Sequence, residues 1–220
     1  MAMRNYKTLG DHKIRRILTT ALLLTIPLNL QSCAKAAQIF SNVGPDGSCA
    51  ITFYGDIKPG DETVFNALTP DCKAGGVLLK SDGGSLAAGL RIGELIREKG
   101  LETAVAFDAR CASACALAWL GGSKRYMSTS SWIGFHAAYT VNDLGSANES
   151  GLGNALVGAY MTTLGLPKSA VIFAASARPD EMNWLTASHA LQIGIDVVVL
   201  SKADYAWIEA LDQSDPHRKD

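Results

Sequence analysis

Ser81-Asp82-Gly83-Gly84-Ser85 and Cys111-Ala112-Ser113-Ala114-Cys115 are the two stretches that decide how this chain folds. The first follows residues 76–80, a short apolar run that reads as a strand, and its Ser85 can cap a helix running to Lys99. Two glycines at that junction let backbone N–H groups converge on a developing oxyanion. The second is a small-residue turn that opens a helix and presents a serine hydroxyl. His136 follows at the end of Ile133-Gly134-Phe135-His136, another apolar run. A nucleophile, a base and oxyanion donors are what acyl transfer requires. Alone, Ser113 reads as a small residue closing a turn and His136 as a core histidine. Their order along the chain lifts both to candidate catalytic residues.

The surrounding pattern alternates strands and helices. Strands are expected at 49–54, 76–80, 102–107, 126–127, 132–136 and 197–200. Helices are expected at 61–68, 85–99, 114–120, 156–164, from Pro167 to about Ser176, and 186–193. Residues 143–153 are polar and glycine-rich and read as a loop and candidate lid. This alternation predicts an α/β fold with mainly parallel strands. Trp119, Trp132 and Trp184 read as core, and His189 as a residue on an exposed helix face. Gly151-x-Gly153 lacks the preceding strand that a dinucleotide loop needs.

With 220 residues, 48% hydrophobic and 19% charged, the chain has the composition of one globular domain. Residues 1–36 read as a leader: five basic residues between Arg4 and Arg16, an apolar stretch over 17–30, and Ala34-Lys35-Ala36 as a cleavage site. Two other readings stay open, an uncleaved membrane anchor and a lipoprotein signal at Leu30-Gln31-Ser32-Cys33, with Cys33 lipidated. The expected domain is 37–212, followed by a polar tail, 213–220. Beyond the leader stand 14 Lys/Arg against 20 Asp/Glu, an acidic balance that argues against nucleic acid or anionic lipid as partner. The expected location is therefore periplasmic, with membrane contact only through an anchor or Cys33.

Four further cysteines suit an oxidising compartment. Cys49–Cys72 is the preferred first bridge, because each lies beside a strand start. A Cys111–Cys115 bridge would brace the turn around Ser113; two buried free thiols are the alternative. No histidine stands at ligand spacing from either pair, so no metal is expected.

Ser-Asp-Gly-Gly-Ser-Leu-Ala-Ala-Gly-Leu-Arg-Ile resembles the Ser-Pro-Gly-Gly-Ser-Val segment of the Clp-type serine peptidases. Cys-Ala-Ser-Ala-Cys-Ala resembles their Ala-Ser-Met-Gly nucleophile turn. Gly121-Gly122 through Ile133-Gly134-Phe135-His136 resembles their histidine strand. Trp184-Leu185-Thr186-Ala187-Ser188-His189-Ala190 and on to Gly194-Ile195 resembles their late Phe-Leu-Ser-Ala-x-Glu-Ala segment. The likeness runs from about Ile51 to Leu200 and is closest to exported bacterial members. It implies the Clp peptidase/crotonase fold, a spiral of ββα units, and a tendency to form homo-oligomers. By carry-over, Ser113 is the nucleophile, His136 the general base, and the N–H groups of Gly84 and Ala114 the oxyanion hole.

Two positions depart from that pattern. The family acid stands two residues before the aromatic of the late motif, and here that position is Met182. Asp180 is the expected substitute; Glu181, Asn183 or no third residue at all remain open. Asp82 replaces a proline and is expected to point outward or to cap the following helix. The function these residues imply is an exported, ATP-independent serine peptidase acting on peptides or protein segments without cofactor. A catalytically inactive scaffold of the same fold is the alternative, and a crotonase-type acyl-CoA enzyme a weaker one. Lys80, Lys124 and Lys168 could supply a Ser-Lys mechanism, but none lies in a recognisable motif.

Overall fold

The computed structural model describes residues 37–70, 72 and 74–204. The leader, its Cys33 and the tail 213–220 lie outside the described residues. A six-stranded sheet runs β1(Gln38–Val43), β2(Ser48–Tyr54), β3(Ala74–Lys80), β4(Glu102–Ala104), β6(Arg125–Ser128), β11(Val198–Leu200). The β1–β2 hairpin is antiparallel and every other pairing in this sheet is parallel. A second sheet places β7(Trp132–Phe135) between β5(Arg110–Ala112), parallel, and β10(Asn183–Leu185), antiparallel. The two sheets join where Ser81, just past β3, bridges to Cys111 in β5. The mainly parallel α/β architecture read from the sequence is the one observed.

Alternation along the strands sets their faces. Cys49, Ile51 and Phe53 of β2 and Val77 and Leu79 of β3 are buried, while the residues between them are half-exposed. Helix α2(Leu86–Glu98) packs Leu90, Ile92, Leu95 and Ile96 into the same core. Each such side chain contributes about 1.5–3 kcal/mol by leaving water. Helix α3(Ala114–Leu120) is buried at every position, which its uninterrupted apolar sequence requires. Glycines bring α2 and α3 together: a Cβ on Gly89 would lie 2.7 Å from the Ala114 carbonyl oxygen. A Cβ on Gly93 would collide with the Tyr160 hydroxyl, which donates to the Leu117 carbonyl oxygen at 2.9 Å. Burial holds that phenol protonated well above its usual range. At the far end of α3, buried Arg125 donates from Nε to the Leu120 carbonyl oxygen at 2.8 Å, a cation at a helix C-terminus.

Some elements differ from the expectation. Residues 143–153 are not one loop: β8(Tyr139–Val141) and β9(Ala147–Glu149) form a hairpin, and α4(Gly151–Thr163) starts at once, capped by Ser150 accepting from Gly153 N at 3.0 Å. The glycines there serve a helix start rather than a lid. The strand expected over 102–107 stops at Ala104, since the chain turns through Asp108 at a φ of 54°. Strand β1 escaped the reading, although Gly44-Pro45-Asp46-Gly47 is a hairpin signal. Strands β5 and β10 have three residues each, too few to carry a period. Trp132 is 55% exposed and meets Trp184 edge-on at 5.6 Å, so it is not core. The remaining helices are α1(Asp61–Leu68), α5(Lys168–Ser176) and α6(Ala187–Gln192). Among the described residues no helix is long and apolar enough to cross a membrane.

Candidate active site

Ser113 sits between β5 and α3 at a φ of 55° and ψ of −124°, a left-handed conformation that a side chain rarely adopts. Its N–H donates to the Gly134 carbonyl oxygen at 2.8 Å, which ties the turn to β7. The bridge Cys111–Cys115, with Cα atoms 5.1 Å apart, links β5 to the first turn of α3 across Ser113. The second expected bridge, Cys49–Cys72, closes the base of β2 with Cα atoms 5.5 Å apart. The sequence preferred the Cys49–Cys72 pair and left Cys111–Cys115 open against two free thiols; the structure has both bridges.

Gly83 and Gly84 take φ values of 103° and 136°. Ile57 N donates to the Gly83 carbonyl oxygen at 2.7 Å, and Ser85 N donates to the Ile57 carbonyl oxygen at 2.8 Å. That pairing uses the groups on either side of Gly84, so the N–H of Gly84 itself faces away from Ile57. A Cβ on Gly84 would run into the Ile57 carbonyl oxygen, and one on Gly83 would lie 2.7 Å from the Ala112 carbonyl oxygen. Only glycine fits this close approach. Ala114 is the first residue of α3, where an N–H has no intrahelical acceptor. Ser85 caps α2 through Ala88 N at 3.3 Å.

Ser113, His136, Gly84 and Ala114 line one cavity of ≈ 220 Å³ together with Asp82, Leu86, Leu117, Phe135, Ala138, Tyr139, Val157 and Ala174. The structure thus brings Ser113, His136, Gly84 and Ala114, the four residues selected from the sequence, to one place. Ser113 Oγ and His136 make no hydrogen bond to each other in this conformation. His136 Nδ1 lies 2.8 Å from the Ala137 carbonyl oxygen. A carbonyl only accepts, so this contact puts the hydrogen on Nδ1 and leaves the Nε2 lone pair free. The Tyr139 ring packs beside the imidazole, centroids 5.4 Å apart.

The expected acid is elsewhere. Asp180 is exposed and pairs with Arg178, Oδ1 to Nε 3.2 Å. Glu181 accepts from Arg178 N, and Asn183 donates to the Phe173 carbonyl oxygen and Ser176 Oγ. None of the three lines the cavity. The β7–β10 ladder ends at the Asn183–Phe135 pair, and the side chain of Met182, which stands where the resemblance puts the acid, packs against Gly134. Asp82 borders the cavity, and its exposed carboxylate pairs with Arg110 at 3.2 Å; that guanidinium lies 5.7 Å from the Trp184 ring centroid. None of the three lysines lines the cavity: Lys80 lies over the Tyr54 ring, Lys124 pairs with Glu102, and Lys168 is the first residue of α5. His189 packs against Phe173. Tyr139 and the Ala137 carbonyl escaped the sequence reading; a backbone acceptor leaves no residue-type signal.

No protein-family model and no curated protein matches this chain. Solved structures do. The chain is similar to the 1510-N membrane-bound stomatin-specific protease in a serine-to-alanine variant, at 21% identity and a TM-score of 0.55, over 75% of this chain and 82% of that one. It is similar to a lysine-to-alanine variant of that protease in complex with a substrate peptide, at 22% identity and 0.54, over 70% and 75% of the two chains. The fold is that of the Clp-type serine peptidases. At this identity the likeness carries the fold and leaves the chemistry to this chain's own cavity, which holds a histidine and, among the described residues, no lysine.

Proposed function

We propose that this protein is an exported serine peptidase working through a Ser113–His136 dyad, without ATP, metal or cofactor. The observation that supports it is the convergence of Ser113, His136, Gly84 and Ala114 on one cavity. In this reading Ser113 Oγ attacks the scissile carbonyl carbon while His136 Nε2 takes its proton. Gly84 and Ala114 donate to the oxyanion. Collapse of the intermediate expels the amine with the proton from His136, and water then releases the acyl group. The walls Leu86, Leu117, Phe135 and Val157 suit an apolar side chain next to the scissile bond. The carbonyl of Ala137 takes over the orienting role of the missing acid. The leader composition and the two disulfides support export.

The test is labelling with a fluorophosphonate. Wild type should label at Ser113, Ser113→Ala should not, and His136→Ala should react roughly 10²-fold or more slowly. A second reading, an inactive scaffold, is favoured by the missing Ser113–His136 hydrogen bond and by Met182 in place of the acid. A folded wild type that takes no label would choose the scaffold.

A further inference from the structure

Among the described residues, Asp82 is the one carboxylate on the wall of the Ser113 cavity, and no lysine or arginine lines that wall with it. It stands two residues before Gly84, in a turn anchored on both sides. Ser81 Oγ accepts from Gly83 N at 3.0 Å, and Ile57 N donates to the Gly83 carbonyl oxygen at 2.7 Å. The main chain around Asp82 is therefore fixed, and its carboxylate moves only by side-chain rotation. A carboxylate turned toward Gly84 and Ala114 would oppose negative charge developing on a substrate oxygen there.

The counter-charge comes from outside the cavity. Arg110 Nη1 donates to Asp82 Oδ1 at 3.2 Å. A parallel bridge sets the two residues beside each other: Ser81 N donates to the Arg110 carbonyl oxygen at 2.9 Å, and Ala112 N to the Ser81 carbonyl oxygen at 3.0 Å. Arg110 opens β5 opposite Trp132 of β7. Its guanidinium lies 5.7 Å from the Trp184 ring centroid, and Trp184 meets Trp132 edge-on at 5.6 Å. Two tryptophans on neighbouring strands thus brace the cation. The Arg110 and Asp82 side chains are 58% and 66% exposed, so their pairing adds little to stability. Its effect is to fix where a negative charge sits at the edge of the site.

We propose that Arg110 is a positioning residue: braced by Trp184, it neutralises the Asp82 carboxylate and holds it off the Gly84 and Ala114 N–H groups. The site can then stabilise an oxyanion with an acid on its wall. Arg110 acts through Asp82 and touches neither substrate nor reacting atoms. The inference rests on the peptidase reading.

The test is the second-order rate of fluorophosphonate labelling of the intact, oxidised protein. Arg110→Gln keeps much of the side chain's length and removes its charge; it should slow labelling roughly five- to tenfold at low salt. Added salt should recover most of that loss, because ions screen an exposed carboxylate. Arg110→Lys keeps the charge and should lose less. In an Asp82→Asn background, Arg110→Gln should change the rate by less than about twofold, since no carboxylate remains to be held. The salt response and this rescue are effects that a merely structural arginine would not show. Labelling of Arg110→Gln at the wild-type rate would overturn the proposal and leave the peptidase reading standing. So would a loss of equal size in the Asp82→Asn background, which would assign Arg110 to the substrate or to the support of the Ser113 turn. A folded wild type that takes no label would remove the peptidase reading and this inference with it.

Discussion

Ser113 holds a backbone conformation that costs a side-chain-bearing residue about 1–3 kcal/mol. Glycine does not incur that cost. Ser113→Gly should therefore unfold at higher denaturant than Ser113→Ala, by about 1 kcal/mol, while neither variant labels. That pairing distinguishes a strained nucleophile turn from an ordinary helix start. At His136 the expected neutral form carries its hydrogen on Nδ1, bonded to the Ala137 carbonyl oxygen. Nitrogen chemical shifts of the labelled imidazole read the tautomer directly, and a hydrogen on Nε2 would remove the base from the proposed mechanism. Asp180→Asn should leave the labelling rate within about threefold, since exposed pairs of the Asp180–Arg178 kind contribute little. A loss of the size seen on removing a triad acid, about 10⁴-fold, would return Asp180 to the site. The sequence singled out Ser113 and His136 by residue type and order along the chain, and Gly84 and Ala114 through the family resemblance. It could not identify the acceptor for Nδ1, because a main-chain carbonyl is the same in every residue.

The elements show where glycine and cystine decide the outcome. Gly93→Ala sets a methyl group against the Tyr160 hydroxyl and the α3 backbone, and is expected to destabilise the fold by about 1–3 kcal/mol. Chemical denaturation with the label bound and free would show whether the cavity follows. The two disulfides should separate by function. Replacing Cys49 and Cys72 opens a loop of 23 residues and should cost about 3 kcal/mol, with labelling intact in the folded fraction. Replacing Cys111 and Cys115 frees the turn that presents Ser113. It should slow labelling more than it lowers the unfolding midpoint. Equal losses in both measurements would make that bridge an ordinary structural one. Helices α1, α2, α3 and α5 and strands β2, β3 and β7 were legible because each is long or flanked by a cap or breaker. The hairpin β8–β9 was not, because its strands are largely exposed and only three residues long.

For the whole molecule, the parallel sheet brings the two glycine- and serine-bearing turns together at the junction of two sheets, the usual place for a site in such folds. The sequence by itself determined the alternation of strands and helices, which local periodicity and turn chemistry encode directly. It preferred the Cys49–Cys72 pair; the Cys111–Cys115 pair stayed open, and the roles of the four residues at the cavity came from a family resemblance. Only the tertiary structure decided that Asp180 turns away to Arg178, that Met182 packs against Gly134, and that Tyr139 and the Ala137 carbonyl lie beside His136. Those placements depend on the register between β7 and β10 and on the path of the chain after His136. Register comes from the packing of the whole sheet, and no single segment contains it.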